Sequence, residues 1–120
     1  ILTMRKNEEA KPVSTDYICD RILKYTAEHM AEKDILKNIG NELNFSVSYL
    51  SRRFKENMGI SFTEYVQKLR IDQSMCMLGN TSKKITEIAE FCGYSDMKFF
   101  NSIFKKYAGM TPREFRNTFR

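Results

Sequence analysis

Apolar residues recur at three- and four-residue intervals along most of the chain, and no stretch sustains the apolar–polar alternation of a half-buried strand. Only two prolines interrupt the pattern, so the predicted fold class is all-α. Ser14, Thr15 and Asp16 suit the cap of a first helix with apolar stripe Ile18, Ile22, Leu23, Tyr25 and Met30, ending near Glu32. Asp34 starts a short second helix with core positions Leu36, Ile39 and Leu43, and Asn44 suits the left-handed residue that ends it. Ser46 caps a third helix running to about Asn57, with Leu50 and Phe54 inward and Gly59 at its stop. Ser61 and Glu64 form a capping box for a long fourth helix to about Leu78. Phe62, Tyr65, Val66 and Leu69 share one side of it, whereas Ile71, Met75 and Leu78 drift around, as in a helix packed between two bodies. Gly79 and Asn80 end it. Two more helices follow over 83–92 and 96–107, and Thr111, Pro112 and Glu114 start a last one carrying Phe115 and Phe119.

The pattern repeats. Ile39 matches Ile88 and Phe45 matches Tyr94 at an offset of 49, while Leu50, Phe54 and Gly59 match Phe100, Phe104 and Gly109 at an offset of 50. One extra residue in the second turn accounts for the change. Each copy reads as a short helix, a tight turn and a second amphipathic helix, with small Gly40 or Ala89 where two helices are expected to approach closely. That is the helix-turn-helix plan, which holds the outer face of one helix free to enter a DNA major groove. With Leu50 and Phe54 inward, Ser48, Ser51, Arg52 and Lys55 fall on the outer face of the third helix. Lys98, Asn101, Ser102 and Lys105 are the equivalents in the second copy. Arg52 suits bidentate bonding to guanine O6 and N7, Asn101 suits adenine N6 and N7, and serines donate or accept at either. One such stripe alone reads as a solvated helix face; two, each on the second helix of a matched pair, point to DNA. The 17 residues from Phe62 to Leu78 would span roughly 26 Å, which with the width of the units brings the two outer faces near the roughly 34 Å of one DNA turn.

Charge sharpens this picture. The 120 residues carry a net +5, but residues 1–45 hold 7 basic and 8 acidic side chains, and residues 46–120 hold 13 and 7. The positive field therefore belongs to the segment with the candidate reading helices. Lys55, Lys83, Lys84, Lys105, Lys106 and Arg113 are placed to meet phosphate, although each also suits a solvated surface, as does Arg116. Phe99 fits either contact with a thymine methyl or packing on a neighbouring helix.

Chemistry of other kinds finds little support. No carboxylate pair, activated nucleophile, metal cluster or phosphate-cradling glycine loop stands out, so neither an enzyme nor a cofactor is expected. Cys19, Cys76 and Cys92 have no zinc-ligand spacing and read as buried small hydrophobes in a reducing cytoplasm. No apolar run approaches the roughly 20 residues of a membrane span. The polar opening, with Asn7, Glu8, Glu9 and Pro12, reads as a linker over 1–13 from an upstream domain absent from this chain. A helical protein-interaction module without DNA specificity is the rival reading; it leaves the duplication and the basic second half without a shared cause.

At these residues the chain resembles the DNA-binding domain of the AraC/XylS family of bacterial transcription regulators, over about residues 15–118. The most specific match is Ile85-Thr86-Glu87-Ile88-Ala89, Gly93-Tyr94-Ser95-Asp96, the run from Phe99 to Lys106, Gly109-Met110-Thr111-Pro112 and Phe115-Arg116. The run from Ser48 to Lys55 matches the first recognition helix. The resemblance implies seven helices and two homeodomain-like helix-turn-helix units (34–58 and 83–108). A central helix (61–79) joins them and a terminal helix (112–119) follows, all within a domain over 14–120. It also implies asymmetric operators in double-stranded DNA and activation through RNA polymerase. Base-reading positions carried over from the family fall at Ser48, Ser51 and Arg52, then Met97, Lys98, Asn101 and Ser102; Met97 rests on the resemblance alone. Gly40 replaces the family's usual alanine, which on propensity weakens the second helix by up to about 1 kcal/mol, and Ser102 stands where arginine is common.

Overall fold

Seven α-helices make up the regular structure of the described residues, 15–119, in a computed structural model of the chain. They are α1 (Thr15–Glu28), α2 (Ile35–Leu43), α3 (Val47–Met58), α4 (Phe62–Asn80), α5 (Ile85–Phe91), α6 (Met97–Ala108) and α7 (Pro112–Phe119). The linker expected over 1–13 and the cap at Ser14 lie outside the described residues, and no side chain is described before Tyr17. The described residues fall into two compact units: 15–28 with 34–62, and 29–33 with 63–119.

In unit 1, α1 contributes Ile18, Cys19 and Ile22 to the core, α2 contributes Ile35 and Ile39, and α3 contributes Leu50 and Phe54. Each large apolar side chain so buried is worth about 1.5–3 kcal/mol. Phe62, the first residue of α4, meets Phe54 edge to face at 5.3 Å. On the surface Arg21 pairs with Glu42 at 2.9 Å. Two details differ from the sequence reading. The first helix ends at Glu28 rather than near Glu32, and the chain turns instead, the Glu32 amide donating to the His29 carbonyl at 3.0 Å. The buried row of α2 begins at Ile35, whereas Leu36 and Leu43 are only half-buried. Asp34 provides no side-chain cap; it takes the left-handed conformation (φ 55°), and the buried row starts with the residue after it.

The core of unit 2 joins Ile71 and Leu78 of α4 to Ile88, Ala89 and Cys92, Tyr94 of the following turn, and Phe100, Ile103 and Phe104 of α6. Two arginines fasten its edges. Arg116 on α7 donates to the Leu78 and Thr81 carbonyls, both at 3.2 Å, and so satisfies the C-terminal end of α4. Arg70 donates to the Met30 and Glu32 carbonyls at 2.8 and 3.0 Å, with its guanidinium carbon 5.3 Å from the centre of the Tyr94 ring. Gly93 has φ 101°, and a Cβ there would meet both Arg70 and the Ala31 backbone at 3.0 Å.

The repeat is visible atom by atom. Asn44 and Gly93, 49 positions apart in the chain, are the left-handed residues of the two turns. The amide after each bonds back into the first helix, Phe45 to Gly40 at 3.1 Å and Tyr94 to Ala89 at 2.9 Å. Ser46 then caps α3 by accepting from the Tyr49 amide, and Asp96 caps α6 by accepting from Lys98 and Phe99. Both second helices end on a left-handed glycine, Gly59 and Gly109, donating to Lys55 and Lys105 at 2.9 Å. Leu50, Phe54, Phe100 and Phe104 are fully buried as the pattern requires. The small residue at 40 does face another helix, with Leu50 of α3 3.6 Å from where a Cβ would sit, but the tighter neighbour is the Phe45 carbonyl of the turn. The matched turn aromatics also part company, since Phe45 is 40% exposed and Tyr94 only 6%.

Candidate nucleic-acid interface

In unit 1, the inward row of α3 leaves its other side to solvent. Ser48, Arg52 and Lys55 are exposed and Ser51 is half-buried. All four line one shallow groove, flanked by Val47 and Glu56. Apolar periodicity assigns Val47 inward with Leu50 and Phe54, yet it is 45% exposed at the first position of the helix.

In unit 2, Lys98, Asn101, Ser102 and Lys105 are exposed on α6, while Met97 is half-buried and also packs against the core. Met97 and Asn101 share a groove with Ile85, Thr86, Thr111, Pro112 and Arg113. The fold thus brings Arg113, from the first turn of α7, beside two of the expected base-reading positions. Thr86 is a further polar residue of this groove; it belongs to α5, so no periodicity within α6 points to it. Lys83 and Lys84 stand exposed just before α5, where the Glu87 carboxylate accepts from the Lys84 amide at 3.1 Å. Lys106 is exposed with its ammonium 5.2 Å from the Tyr107 ring centre. Thr111 and Glu114 exchange backbone and side-chain bonds at 2.9 and 3.1 Å, and that bonding holds the Glu114 carboxyl below its ordinary range.

In unit 1, the side of α3 next to its own groove carries an aromatic and cationic stack. Phe45 and Tyr49 are stacked at 4.8 Å and 24°. The guanidinium carbons of Arg52 and Arg53 lie 5.8 and 5.4 Å from the Tyr49 ring centre. Arg53 also donates to the Tyr49 hydroxyl at 3.2 Å and to Glu56 at 3.4 Å, and these partners, Tyr49 first, raise its already high pKa.

Other residues singled out from the sequence resolve simply. Arg116 is committed to the end of α4. Phe99 is 47% exposed with its ring 6.0 Å from that of Tyr94, so it packs in part and faces water in part. Cys19 and Cys92 are buried, as expected, but Cys76 is exposed, because it falls on the outer side of α4 opposite Ser74 and Leu78. Burial pushes the Cys92 thiol up to about 11 against the pull of nearby Arg70. Among the described residues, no helix is long and apolar enough to cross a membrane and no group of acidic, histidine and cysteine side chains is arranged to hold a metal.

Residues 39–118 match the family described as the helix-turn-helix domain. The chain also superimposes on a transcriptional regulator of Chromobacterium violaceum, described as an AraC-type DNA-binding domain-containing protein. That likeness has a TM-score of 0.77 and 26% identity, covering 87% of this chain and 93% of that one. This chain belongs to the AraC/XylS family. A second likeness is to the C-terminal domain of AraT, a response regulator from Geobacillus stearothermophilus. Its TM-score is 0.81 at 35% identity, over 90% of this chain and 88% of that one. In sequence the chain is 29% identical over 119 residues to the HTH-type transcriptional activator RhaR of Mannheimia succiniciproducens, covering 99% of this chain and 43% of the relative. The chain therefore spans less than half the length of that relative. It is a DNA-binding domain of a bacterial-type transcription regulator, built from the two helix-turn-helix units described above.

Proposed function

We propose that the domain reads a specific site in double-stranded DNA, with α3 and α6 entering successive major grooves, and that it serves transcription activation. The observation that carries this is the duplication of one reading device. Both second helices have a side-chain cap, a fully buried inner row, an exposed polar outer row and a left-handed glycine stop. In this reading Ser48, Ser51 and Arg52 meet base edges from unit 1, and Met97, Lys98, Asn101 and Ser102 from unit 2. Lys55, Lys83, Lys84, Lys105, Lys106 and Arg113 meet phosphates. The 19 residues of α4, about 28 Å of helix, suit a spacer between grooves about 34 Å apart.

The activating role is supported by the relative RhaR, described as a transcriptional activator; in this reading activation runs through contact with RNA polymerase in a bacterial cytoplasm. Regulatory input would come from a domain outside this chain, as the greater length of that relative suggests. The test is selection of bound duplexes from a random library, then footprinting and titration in salt. The expected result is one asymmetric motif protected over two adjacent major grooves, with affinity falling steeply as salt rises. Failure to enrich any motif would refute specific reading, and protection of a single groove would refute docking by both helices.

A further inference from the structure

We infer that Tyr49 is a positioning residue for base reading: its ring, backed by Phe45, holds the Arg52 guanidinium ready for a base edge. The inference rests on the DNA reading above and adds to it a residue that faces no base itself. An exposed arginine samples many rotamers and loses that freedom when it docks on a base, which weakens discrimination unless its orientation is set beforehand. Guanidinium groups stack well on aromatic faces.

The Arg52 guanidinium carbon is 5.8 Å from the Tyr49 ring centre, and among the described residues it has no hydrogen-bonded protein partner competing with a base. Arg53 behaves differently. It shares the ring at 5.4 Å but is tied to the Tyr49 hydroxyl and to Glu56, so it anchors the tyrosine rather than reading DNA. From the turn, Phe45 stacks on Tyr49 at 4.8 Å, and Phe45 is itself pinned through its amide to Gly40. The stack therefore runs from the turn to the reading face. The α6 face has no such device: Phe99, Ser102 and Ile103 occupy the places of Tyr49, Arg52 and Arg53, so α6 has no guanidinium to orient.

The experiment measures affinities of wild type, Tyr49→Leu, Tyr49→Phe, Arg52→Ala and the double variant Tyr49→Leu/Arg52→Ala. The probes are the library-selected duplex and its single-base-pair variants. Arg52→Ala should erase a preference of about 5- to 150-fold at one base pair. Tyr49→Leu should narrow that same preference by about two- to fivefold, Tyr49→Phe should restore it, and in the Arg52→Ala background Tyr49→Leu should change nothing at that base pair. A loss spread evenly over all base pairs, or one that persists without Arg52, would overturn the positioning role while leaving DNA reading intact. Enrichment of no duplex by wild type would overturn both. A second measurement does not depend on the leucine variant folding. In the unbound wild-type protein, the Arg52 Nε–H proton should resonate upfield of an unstacked arginine because of the Tyr49 ring current, and an unshifted resonance would overturn the inference.

Discussion

The backbone oxygen of Phe45 occupies the space that a Cβ on Gly40 would fill. Backbone cannot swing aside as a side-chain tip can, so alanine at this position would have to displace the turn. Propensity alone favours alanine over glycine in a helix by about 1 kcal/mol. Here the sign should reverse, with Gly40→Ala destabilising by about 1–3 kcal/mol. Gly79 in α4 has nothing within 4 Å of such a carbon, so Gly79→Ala should stabilise by about 0.5–1 kcal/mol. Thermal unfolding of the two variants decides the matter; a higher Tm for Gly40→Ala would contradict the steric account.

Arg52 and Lys105 should separate by the kind of loss they cause. Arg52→Ala should cost about 1–3 kcal/mol on the selected duplex and relax one base pair, and Lys105→Ala should weaken all sequences alike, lowering the salt slope by about 1. Equal loss on specific and random DNA for Arg52→Ala would remove it from the base-reading set. A base-specific loss for Lys105→Ala would move that residue into it.

The fork from Arg116 to Leu78 and Thr81 holds the end of α4 without touching either reading face. Removing it should destabilise the protein by about 1.5–3 kcal/mol, with faster hydrogen exchange in the last turn of α4. Arg116→Lys should recover only part of this, because an ammonium lacks the planar fork. Urea denaturation reads the effect; an unchanged midpoint in Arg116→Ala would show that the fork is ornamental.

Thiol alkylation of the folded protein at neutral pH should modify Cys76 and spare Cys19 and Cys92. Exposure admits the reagent at Cys76, whereas Cys92 is buried and, with its pKa near 11, holds almost no thiolate. Mass mapping of the label checks this, and rapid labelling of Cys92 would mean that the core of unit 2 opens readily.

Features written in local chemistry were legible in the chain. Apolar spacing places Leu50, Phe54, Phe100 and Phe104 inward, and residues such as Ser46, Asp96, Gly59 and Gly109 mark helix ends through bonds made within a few positions. Where the path of a turn or a long-range partner decides, periodicity falls short. The start of the α2 buried row at Ile35 follows the left-handed Asp34, and the need for glycine at 40 follows the path of the turn carbonyl. Arg116 reads as a phosphate candidate until its partners 35 and 38 positions away are seen. Tyr49 sits between the inward and outward rows of α3, where a stripe argument gives it no part.

Phe45 and Tyr94 occupy the same corner of two matched units, one wet and one dry. Trading Tyr94 for a smaller or polar residue would hollow out the middle of its unit, whereas Phe45 can change without opening any void. The first corner is thus open to variation and the second is locked; under the DNA reading proposed above, new site preferences would be accessible through the earlier unit while the later one keeps its shape.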